Sequence, residues 1–131
     1  MKIACGTDII EIERVKKSIE RTGKAFVNKI YTQKEIEYCE SKKSVKYQHY
    51  AARFAAKEAC FKALNSVAKY KNGVMWQDIE VINNEKGKPT LNLRNIDLKR
   101  IISIDISISH CKEYAVANVV MLYEGEKNEI I

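Results

Sequence analysis

The chain has 131 residues, of which 46% are hydrophobic and 31% are charged. These fractions are close to those of ordinary globular proteins and argue against a disordered chain or a coiled coil. The length fits a single domain with its own hydrophobic core. No apolar run approaches the roughly 18 residues of a membrane-spanning helix, and the first residues lack the apolar stretch of a signal peptide. We therefore expect a soluble cytoplasmic protein with one domain over residues 1–131 and a frayed tail over 124–131.

Lysine and arginine outnumber aspartate and glutamate by 23 to 17, which gives a formal net charge of +6. This excess favours an anionic partner, such as nucleic acid, an acidic protein or a phosphorylated small molecule. The four cysteines are far apart in the sequence, form no CxxC pair and are accompanied by only two histidines. These counts argue against a structural zinc site, so we expect free thiols, most of them buried.

The first half of the chain predicts one strand followed by helices. The β-branched residues of 3–12 are typical of a strand, and Thr32 with Glu35 forms the capping-box pattern that begins a helix. The predicted helices cover residues 13–22, 25–31, 32–40 and 47–68, and the polar run 41–46 is expected to be a mobile loop. The last helix carries apolar residues on every side, so we expect it to be the central helix, covered on more than one side.

The second half predicts β structure. The predicted strands cover residues 76–83, 90–93, 103–109 and 114–123, with turns at 71–73, 84–89 and 110–113 and a short helical turn near 97–100. The alternation of apolar and polar residues over 103–109 is the clearest strand signal in the chain. The sum is an α+β domain in which an antiparallel β-sheet packs against a long central helix.

Two carboxylates and a lysine are candidates for chemistry. Glu58 and Lys62 lie one turn apart on an apolar stripe of the central helix, where an ionised group needs a partner or a metal. Spacing alone favours a simple ion pair between them. Asp8 lies near a strand end, where a turn residue is the ordinary interpretation. A hard cation such as Mg²⁺ could instead join Asp8 to Glu58, because it uses one or two carboxylates plus substrate phosphates.

Three further patterns have simple structural interpretations. Gly87 between two lysines could let the backbone approach an anion, although a plain hairpin turn explains it equally. Ser109 and His110 point to opposite faces of a strand, which argues against a catalytic dyad. Arg53 and Lys57 have the spacing of a solvated helix flank.

Five blocks, taken in this order, resemble the holo-[acyl-carrier-protein] synthases, which are short 4′-phosphopantetheinyl transferases. The blocks are GTDIIEIER (6–14), RFAAKEACFKA (53–63), WQDIEV (76–81), GKP (87–89) and SISH (107–110) with YAVA (114–117). The resemblance runs from about residue 3 to residue 121. The sequence departs from the family's pattern at Asn65, where glycine is expected, and over 69–74, which is more basic and less glycine-rich than expected.

The resemblance implies the 4′-phosphopantetheinyl transferase fold and a matching activity. Such an enzyme transfers the phosphopantetheine arm of coenzyme A to a serine of apo acyl carrier protein and releases adenosine 3′,5′-bisphosphate. The resemblance also implies that the enzyme supports fatty acid biosynthesis and that it is a homotrimer with active sites between subunits. The implied partners are therefore acyl carrier protein and coenzyme A. The resemblance implies no binding to nucleic acid or to a membrane.

The resemblance also implies residue roles. Asp8 and Glu58 would hold Mg²⁺, or Mn²⁺, and Lys62 would neutralise charge on the diphosphate. Glu58, through a metal-bound water, is the candidate base, so that Glu58 and Lys62 form the catalytic pair. The residues implied in coenzyme A binding are Arg53, Lys62, Gly87, Lys88, Pro89 and His110.

The first predicted helix offers a basic face for the carrier protein. Val15 and Ile19 lie on one side of this helix, while Arg14, Lys17 and Arg21 lie on the other. The resemblance implies carrier docking on these three basic residues, and a solvated helix face is the simpler interpretation.

Two other classes of protein also stay open, a small basic nucleic-acid-binding module and a metal-dependent phosphohydrolase.

Overall fold

The computed structural model describes residues 1–70 and 73–125. Within them the elements follow the order β1 (Lys2–Glu11), α1 (Ile12–Thr22), α2 (Lys24–Ile30), α3 (Gln33–Glu40), α4 (Lys46–Val67), β2 (Ile79–Asn83), β3 (Pro89–Leu93), β4 (Ile101–His110) and β5 (Tyr114–Tyr123). Two short 3₁₀ helices, Lys43–Val45 and Trp76–Asp78, precede α4 and β2. None of the helices in the described ranges is long and apolar enough to cross a bilayer.

The strands form two antiparallel sheets. The larger has the order β1-β5-β4, and the smaller is the β2-β3 hairpin. Helix α4 lies across β1 and β5 and also contacts α1, α3 and β2, so it is covered on several sides. The prediction of an α+β fold with an antiparallel sheet against a long central helix is confirmed.

Alternation along the strands gives the larger sheet two different faces. The face toward α4 is closed by buried side chains of β5: Ala115, Ala117, Val119 and Met121. On the opposite face the side chains of Ile3, Ile9 and Val120 are 72%, 64% and 45% exposed. An apolar outer face of this kind is a common site of association between chains.

Helix α3 begins as its sequence predicts. The Thr32 hydroxyl accepts a hydrogen bond from the Glu35 backbone N–H at 3.3 Å, and the Glu35 carboxylate accepts one from the Thr32 N–H at 2.9 Å. These two bonds satisfy donors that the first turn of a helix leaves unpaired. The predicted capping box is therefore confirmed.

Two local predictions are wrong. Residues 76–78 form a 3₁₀ helix instead of the first part of a strand, because the Asp78 carboxylate accepts from the Met75 N–H at 2.9 Å and holds the turn. The expected helical turn near 97–100 is a simple turn, closed by the Ile101 N–H and the Leu98 carbonyl at 3.0 Å.

The polar run 41–46 contains the 3₁₀ helix Lys43–Val45, which leads into α4, and Lys46 pairs with Glu40 at 3.3 Å. The mobility expected of this run stays a prediction.

Two other predictions fall partly outside the described residues. The turn at 71–73 includes residues 71 and 72, and the tail at 124–131 includes residues 126–131. At the start of that tail the Glu124 N–H donates to the Arg100 carbonyl at 2.8 Å. All four cysteines are free thiols as expected, but only Cys39 and Cys60 are buried.

Candidate active site

Asp8 and Glu58 line the same cleft. Asp8 lies on the face of β1 that is turned toward α4, and Glu58 is on α4 itself. The cleft has a volume of about 340 Å³ and is also lined by Arg14, Phe26 and Phe54. Burial raises the pKa of Glu58, the nearby Asp8 carboxylate raises it further, and Lys62 acts in the opposite direction. The two carboxylates are therefore close enough to repel each other.

Gly6 explains how β1 and α4 come so close. A Cβ atom at this position would meet the carbonyl oxygen of Ala59, and it would lie 2.9 Å from the Ala59 carbonyl carbon and 3.0 Å from the Ala63 nitrogen. Only glycine leaves room for this contact between backbones. Because Gly6 is two residues from Asp8 and Ala59 follows Glu58, this contact sets the separation of the two carboxylates.

Lys62 belongs to the same group, which we name the carboxylate cluster (Asp8, Glu58 and Lys62). The Lys62 ammonium donates to the Thr7 carbonyl oxygen at 2.8 Å and pairs with Asp8 at 3.4 Å. Its side chain is 54% exposed. Among the ion pairs of the described residues, Lys62 thus pairs with Asp8 and not with Glu58. The prediction, from spacing alone, of a simple ion pair between Glu58 and Lys62 is therefore wrong.

The donor set of the carboxylate cluster fits a divalent cation that a phosphate ligand helps to hold. No group of three or more His, Cys, Asp and Glu side chains able to hold a metal occurs in residues 1–70 and 73–125. Two carboxylates nevertheless match Mg²⁺, which keeps waters and binds through one or two carboxylates plus substrate phosphates. The repulsion between Asp8 and Glu58 is the kind that a bound cation relieves.

Arg53 lies on another side of α4. Glu58 is five positions after Arg53 on the helix, so the two side chains project from it roughly 140° apart. The Arg53 guanidinium donates to the Asn83 side-chain oxygen at 2.7 Å, and the Asn83 amide donates to the Gly87 carbonyl at 2.9 Å. Gly87 adopts a φ of 81°, which suits glycine in this turn. Arg53 is only 4% exposed, so the prediction of a solvated flank is wrong for it.

Ring contacts join Arg53 to His110. The Arg53 guanidinium lies 3.9 Å from the centre of the Tyr38 ring, and the Lys42 ammonium lies 4.8 Å from it. The His49 ring contacts both Tyr38 and His110 edge to face, at 5.5 Å between centroids in each case. We name these five residues, Tyr38, Lys42, His49, Arg53 and His110, the basic-aromatic cluster.

The residues predicted to bind coenzyme A are therefore divided between two places. Lys62 is in the carboxylate cluster, whereas Arg53 and His110 are in the basic-aromatic cluster, to which Asn83 connects the Gly87 turn. Lys88 is exposed and pairs with Asp105 at 2.8 Å. Pro89 is the first residue of β3. The sequence reasoning missed Tyr38, His49 and Asn83, although the four-residue spacing of His49 and Arg53 already places both on one side of α4.

Lys57 is a further correction. It is fully buried and pairs with Glu35 at 2.8 Å, so the prediction of a solvated flank is wrong here as well. Its ammonium also donates to the carbonyl oxygens of Trp76 at 3.1 Å and Ile79 at 2.5 Å, and Glu35 accepts from the Val81 N–H at 2.8 Å. Burial lowers the pKa of Lys57, and the Glu35 carboxylate opposes that change. This pair connects α3, α4 and β2.

The basic face of α1 is arranged as its sequence predicts. Val15 is buried and Ile19 is half-buried, whereas Arg14, Lys17 and Arg21 are exposed. Arg14 also lines the cleft that contains Asp8 and Glu58. Arg14 therefore borders the carboxylate cluster, which its sequence position alone does not reveal.

Comparison with known proteins identifies the family. The sequence model of the 4′-phosphopantetheinyl transferase superfamily matches residues 4–119. The chain is 45% identical to a holo-[acyl-carrier-protein] synthase of Ruminiclostridium cellulolyticum, over 99% of this chain and 100% of that protein. It is 49% identical to the same enzyme of Chlorobaculum parvum, over 86% and 92% of the two chains.

Solved structures with the same fold include two bound to nucleotide ligands. A holo-(acyl-carrier-protein) synthase from Bacillus anthracis in complex with coenzyme A (3′,5′-ADP) gives a TM-score of 0.72 at 39% identity, over 90% of this chain and 94% of that one. The Helicobacter pylori synthase in complex with coenzyme A gives 0.77 at 32% identity, over 90% and 99%. Family match, sequence identity and fold agree over nearly the whole chain. This protein is therefore a member of the 4′-phosphopantetheinyl transferase superfamily and a phosphopantetheinyl transferase.

Proposed function

We propose that this enzyme transfers the 4′-phosphopantetheine arm of coenzyme A to a serine of apo acyl carrier protein, in the cytoplasm and in support of fatty acid biosynthesis. The serine oxygen forms a bond to the phosphorus that carries pantetheine. The bridging P–O bond of the diphosphate breaks, and adenosine 3′,5′-bisphosphate leaves. The observation that carries the proposal is that Asp8 and Glu58 line one cleft while Lys62 pairs with Asp8, because phosphoryl transfer needs mainly positioning and charge stabilisation.

The residues of the carboxylate cluster have distinct roles in this proposal. Asp8 and Glu58 would hold Mg²⁺, or Mn²⁺. When bound, the cation neutralises charge on the diphosphate. Lys62 lies beside Asp8 with an exposed ammonium, where it binds a diphosphate oxygen. Glu58 would also serve as the base, accepting the proton of the carrier serine through a water.

Product analysis tests the function directly. The enzyme is incubated with coenzyme A, Mg²⁺ and an apo acyl carrier protein, and the carrier is weighed by mass spectrometry. Transfer adds one phosphopantetheine to the carrier and releases one adenosine 3′,5′-bisphosphate. A phosphohydrolase would cleave coenzyme A without modifying the carrier, and a nucleic-acid-binding module would consume nothing. Either of these results would refute the proposal.

Lys62→Ala tests the role of the lysine. If Lys62 stabilises the diphosphate mainly in the transition state, kcat falls and the KM for coenzyme A changes less. We expect a loss of kcat on the order of 100-fold, which corresponds to about 2.7 kcal/mol of transition-state stabilisation. Steady-state kinetics measure both constants, with the exposed Lys99→Ala as the matched control. A change in KM alone would mean that Lys62 contributes only to substrate binding.

We also propose that the active form is a homotrimer in which each site combines the two clusters from neighbouring subunits. Two features of the single chain support this. The carboxylate cluster and the basic-aromatic cluster lie on different sides of α4. The outer face of the larger sheet exposes Ile3, Ile9 and Val120. A closed ring of three subunits would cover such a face and bring the clusters together.

Mixing two inactive variants tests the shared site. Glu58→Gln damages the carboxylate cluster, and Arg53→Gln damages the basic-aromatic cluster. In trimers assembled from equal amounts of both, about one site in four receives two intact clusters. We expect co-expression of the two variants to restore about a quarter of wild-type transfer, with light scattering reporting the mass of three chains. No recovery beyond the sum of the separate variants would place each site within one subunit.

Charge reversal on α1 tests carrier docking. Arg14 borders the cleft, so the change is restricted to Lys17→Glu with Arg21→Glu. Acyl carrier protein is taken to be acidic, and exposed charges act mostly on the encounter rate, which salt weakens because screening sets in over ~8–10 Å. We expect a higher KM for the carrier at low salt, a flatter salt dependence and an unchanged KM for coenzyme A. Lys99→Glu is the control. An unchanged carrier KM at low salt would place the docking surface elsewhere.

A further inference from the structure

The basic-aromatic cluster concentrates positive charge without a counter-ion. Lys42 and Arg53 lie against the Tyr38 ring at 4.8 and 3.9 Å, and His49 stands between Tyr38 and His110. Within residues 1–70 and 73–125 no carboxylate forms an ion pair with any of the four basic side chains. Such an arrangement attracts an anion, because each cation is brought near the others without local neutralisation.

His49 is half-buried beside this charge. Burial lowers its pKa to about 4, and His110, Lys42 and Arg53 contribute in that order. These three groups come from β4, from the segment after α3 and from α4 itself. His49 is therefore neutral at pH 7 in the free protein. Its half-buried ring could gain a proton only if a negative charge entered beside it.

We propose that His49 is part of the coenzyme A site and takes up a proton when a phosphate of the nucleotide half binds beside Arg53 and His110. This inference rests on the proposed function, which assigns Arg53 and His110 to coenzyme A. His49 contacts the His110 ring directly, and through Tyr38 it is connected to Arg53 one helical turn away, so a phosphate that approaches these two residues would lie close to His49. The bound phosphate offsets the cost of burying a charged imidazole as well as its repulsion by His110, Lys42 and Arg53.

Proton uptake links affinity to pH. An opposite charge within about 4–6 Å shifts a pKa by ~1–3 units, so we expect the pKa of His49 to rise from about 4 to roughly 6 in the complex. By linkage, the ligand then binds the protein with a protonated His49 more tightly than the protein with a neutral His49, by the factor that corresponds to this pKa shift. The contribution of His49 to affinity grows as pH falls through the pKa of the complex. Between pH 7.5 and 5.5 this contribution amounts to about fourfold in Kd.

The chain has only two histidines, which makes a direct measurement practical. Imidazole signals of the full-length protein are followed by NMR over a pH series, with and without saturating adenosine 3′,5′-bisphosphate. His49→Phe assigns the His49 signal, and the exposed His110→Asn assigns the remaining one if the first variant does not fold. Adenosine 3′-monophosphate and adenosine 5′-monophosphate, used as separate ligands, distinguish which phosphate faces His49.

We expect the bisphosphate to raise the pKa of His49 by about two units, and at least one monophosphate to raise it by a smaller amount. We also expect the ratio of Kd between His49→Phe and wild type to increase about fourfold from pH 7.5 to 5.5. Titration of the ligand itself cancels in this ratio. An unchanged His49 pKa in the saturated complex, with carrier modification intact, would overturn the inference alone. Failure of the bisphosphate to bind, together with failure of transfer, would overturn the proposed function as well.

Discussion

Asp8→Asn and Glu58→Gln are each expected to lower the rate of phosphopantetheine transfer by at least ~10–100-fold, the range measured even for residues that only orient metal ligands. Each substitution keeps the shape of the side chain and removes one negative charge from the carboxylate cluster. In the proposed mechanism the divalent cation would then be held by one carboxylate, and for Glu58→Gln the base would be lost as well. Transfer assays over a Mg²⁺ series measure the effect, and excess Mg²⁺ should recover part of the activity of Asp8→Asn.

Asp97→Asn is the matched control for these two variants. Asp97 is an exposed carboxylate outside the cleft that accepts from the Lys99 N–H at 3.0 Å, so its amide should transfer at a rate close to that of wild type. Undiminished transfer by wild-type enzyme in the presence of EDTA would contradict the metal assignment. An effect of Asp97→Asn as large as that of Asp8→Asn would show that loss of negative charge, wherever it lies, accounts for the result.

Lys57→Met is expected to cost about 3–5 kcal/mol of the free energy of unfolding, because it leaves the Glu35 carboxylate buried without its partner. For a chain of this size the midpoint of thermal unfolding should fall by roughly 10–20 °C. Circular dichroism during heating measures the shift. The exposed Lys99→Met is the control, and it should change the stability by less than about 0.5 kcal/mol.

A double variant separates the charge from the loss of packing contacts. Glu35→Gln with Lys57→Met removes both charges and keeps a side-chain acceptor for one of the two backbone N–H groups, Thr32 and Val81, that bond to different oxygens of Glu35. We expect it to be more stable than Lys57→Met alone, since no buried charge is left unpaired. If the double variant is the less stable of the two, the hydrogen bonds accepted by the two Glu35 oxygens outweigh the cost of leaving the Glu35 charge buried without its partner.

Local patterns predicted the parts of this fold that local interactions determine. The alternating strand around 103–109 is present as the longer β4, and the Thr32–Glu35 capping box begins α3, because neither depends on distant residues. The start of β2 at Ile79 depends on a side-chain contact of Asp78 within a tight turn, which the apolar pattern does not contain. A pattern of alternation therefore predicts where a strand is, and only approximately where it begins.

The candidate site could be predicted only in part. The spacing of Glu58 and Lys62 favoured an ion pair between them, and their meeting with Asp8 could be expected only from the family resemblance. Lys57 and Glu35 are 22 residues apart in the sequence and are buried together, so a rule for exposed helix flanks could not find them. The roughly 140° between Arg53 and Glu58 around α4 could have been derived from the helical repeat alone.

The contact between Gly6 and Ala59 has a consequence for how the two carboxylates respond to a ligand. Asp8 and Glu58 extend from two backbones that touch directly, with no intervening side chain that could change its rotamer. Rearrangement of their anchoring positions would require a strand and a 22-residue helix to move apart. The conformational entropy of bringing the two groups together is therefore lost when the chain folds, not when a cation arrives. The anchoring positions of Asp8 and Glu58 are thus preorganised, and the cation of the proposed mechanism would keep affinity that a flexible pair would lose to ordering.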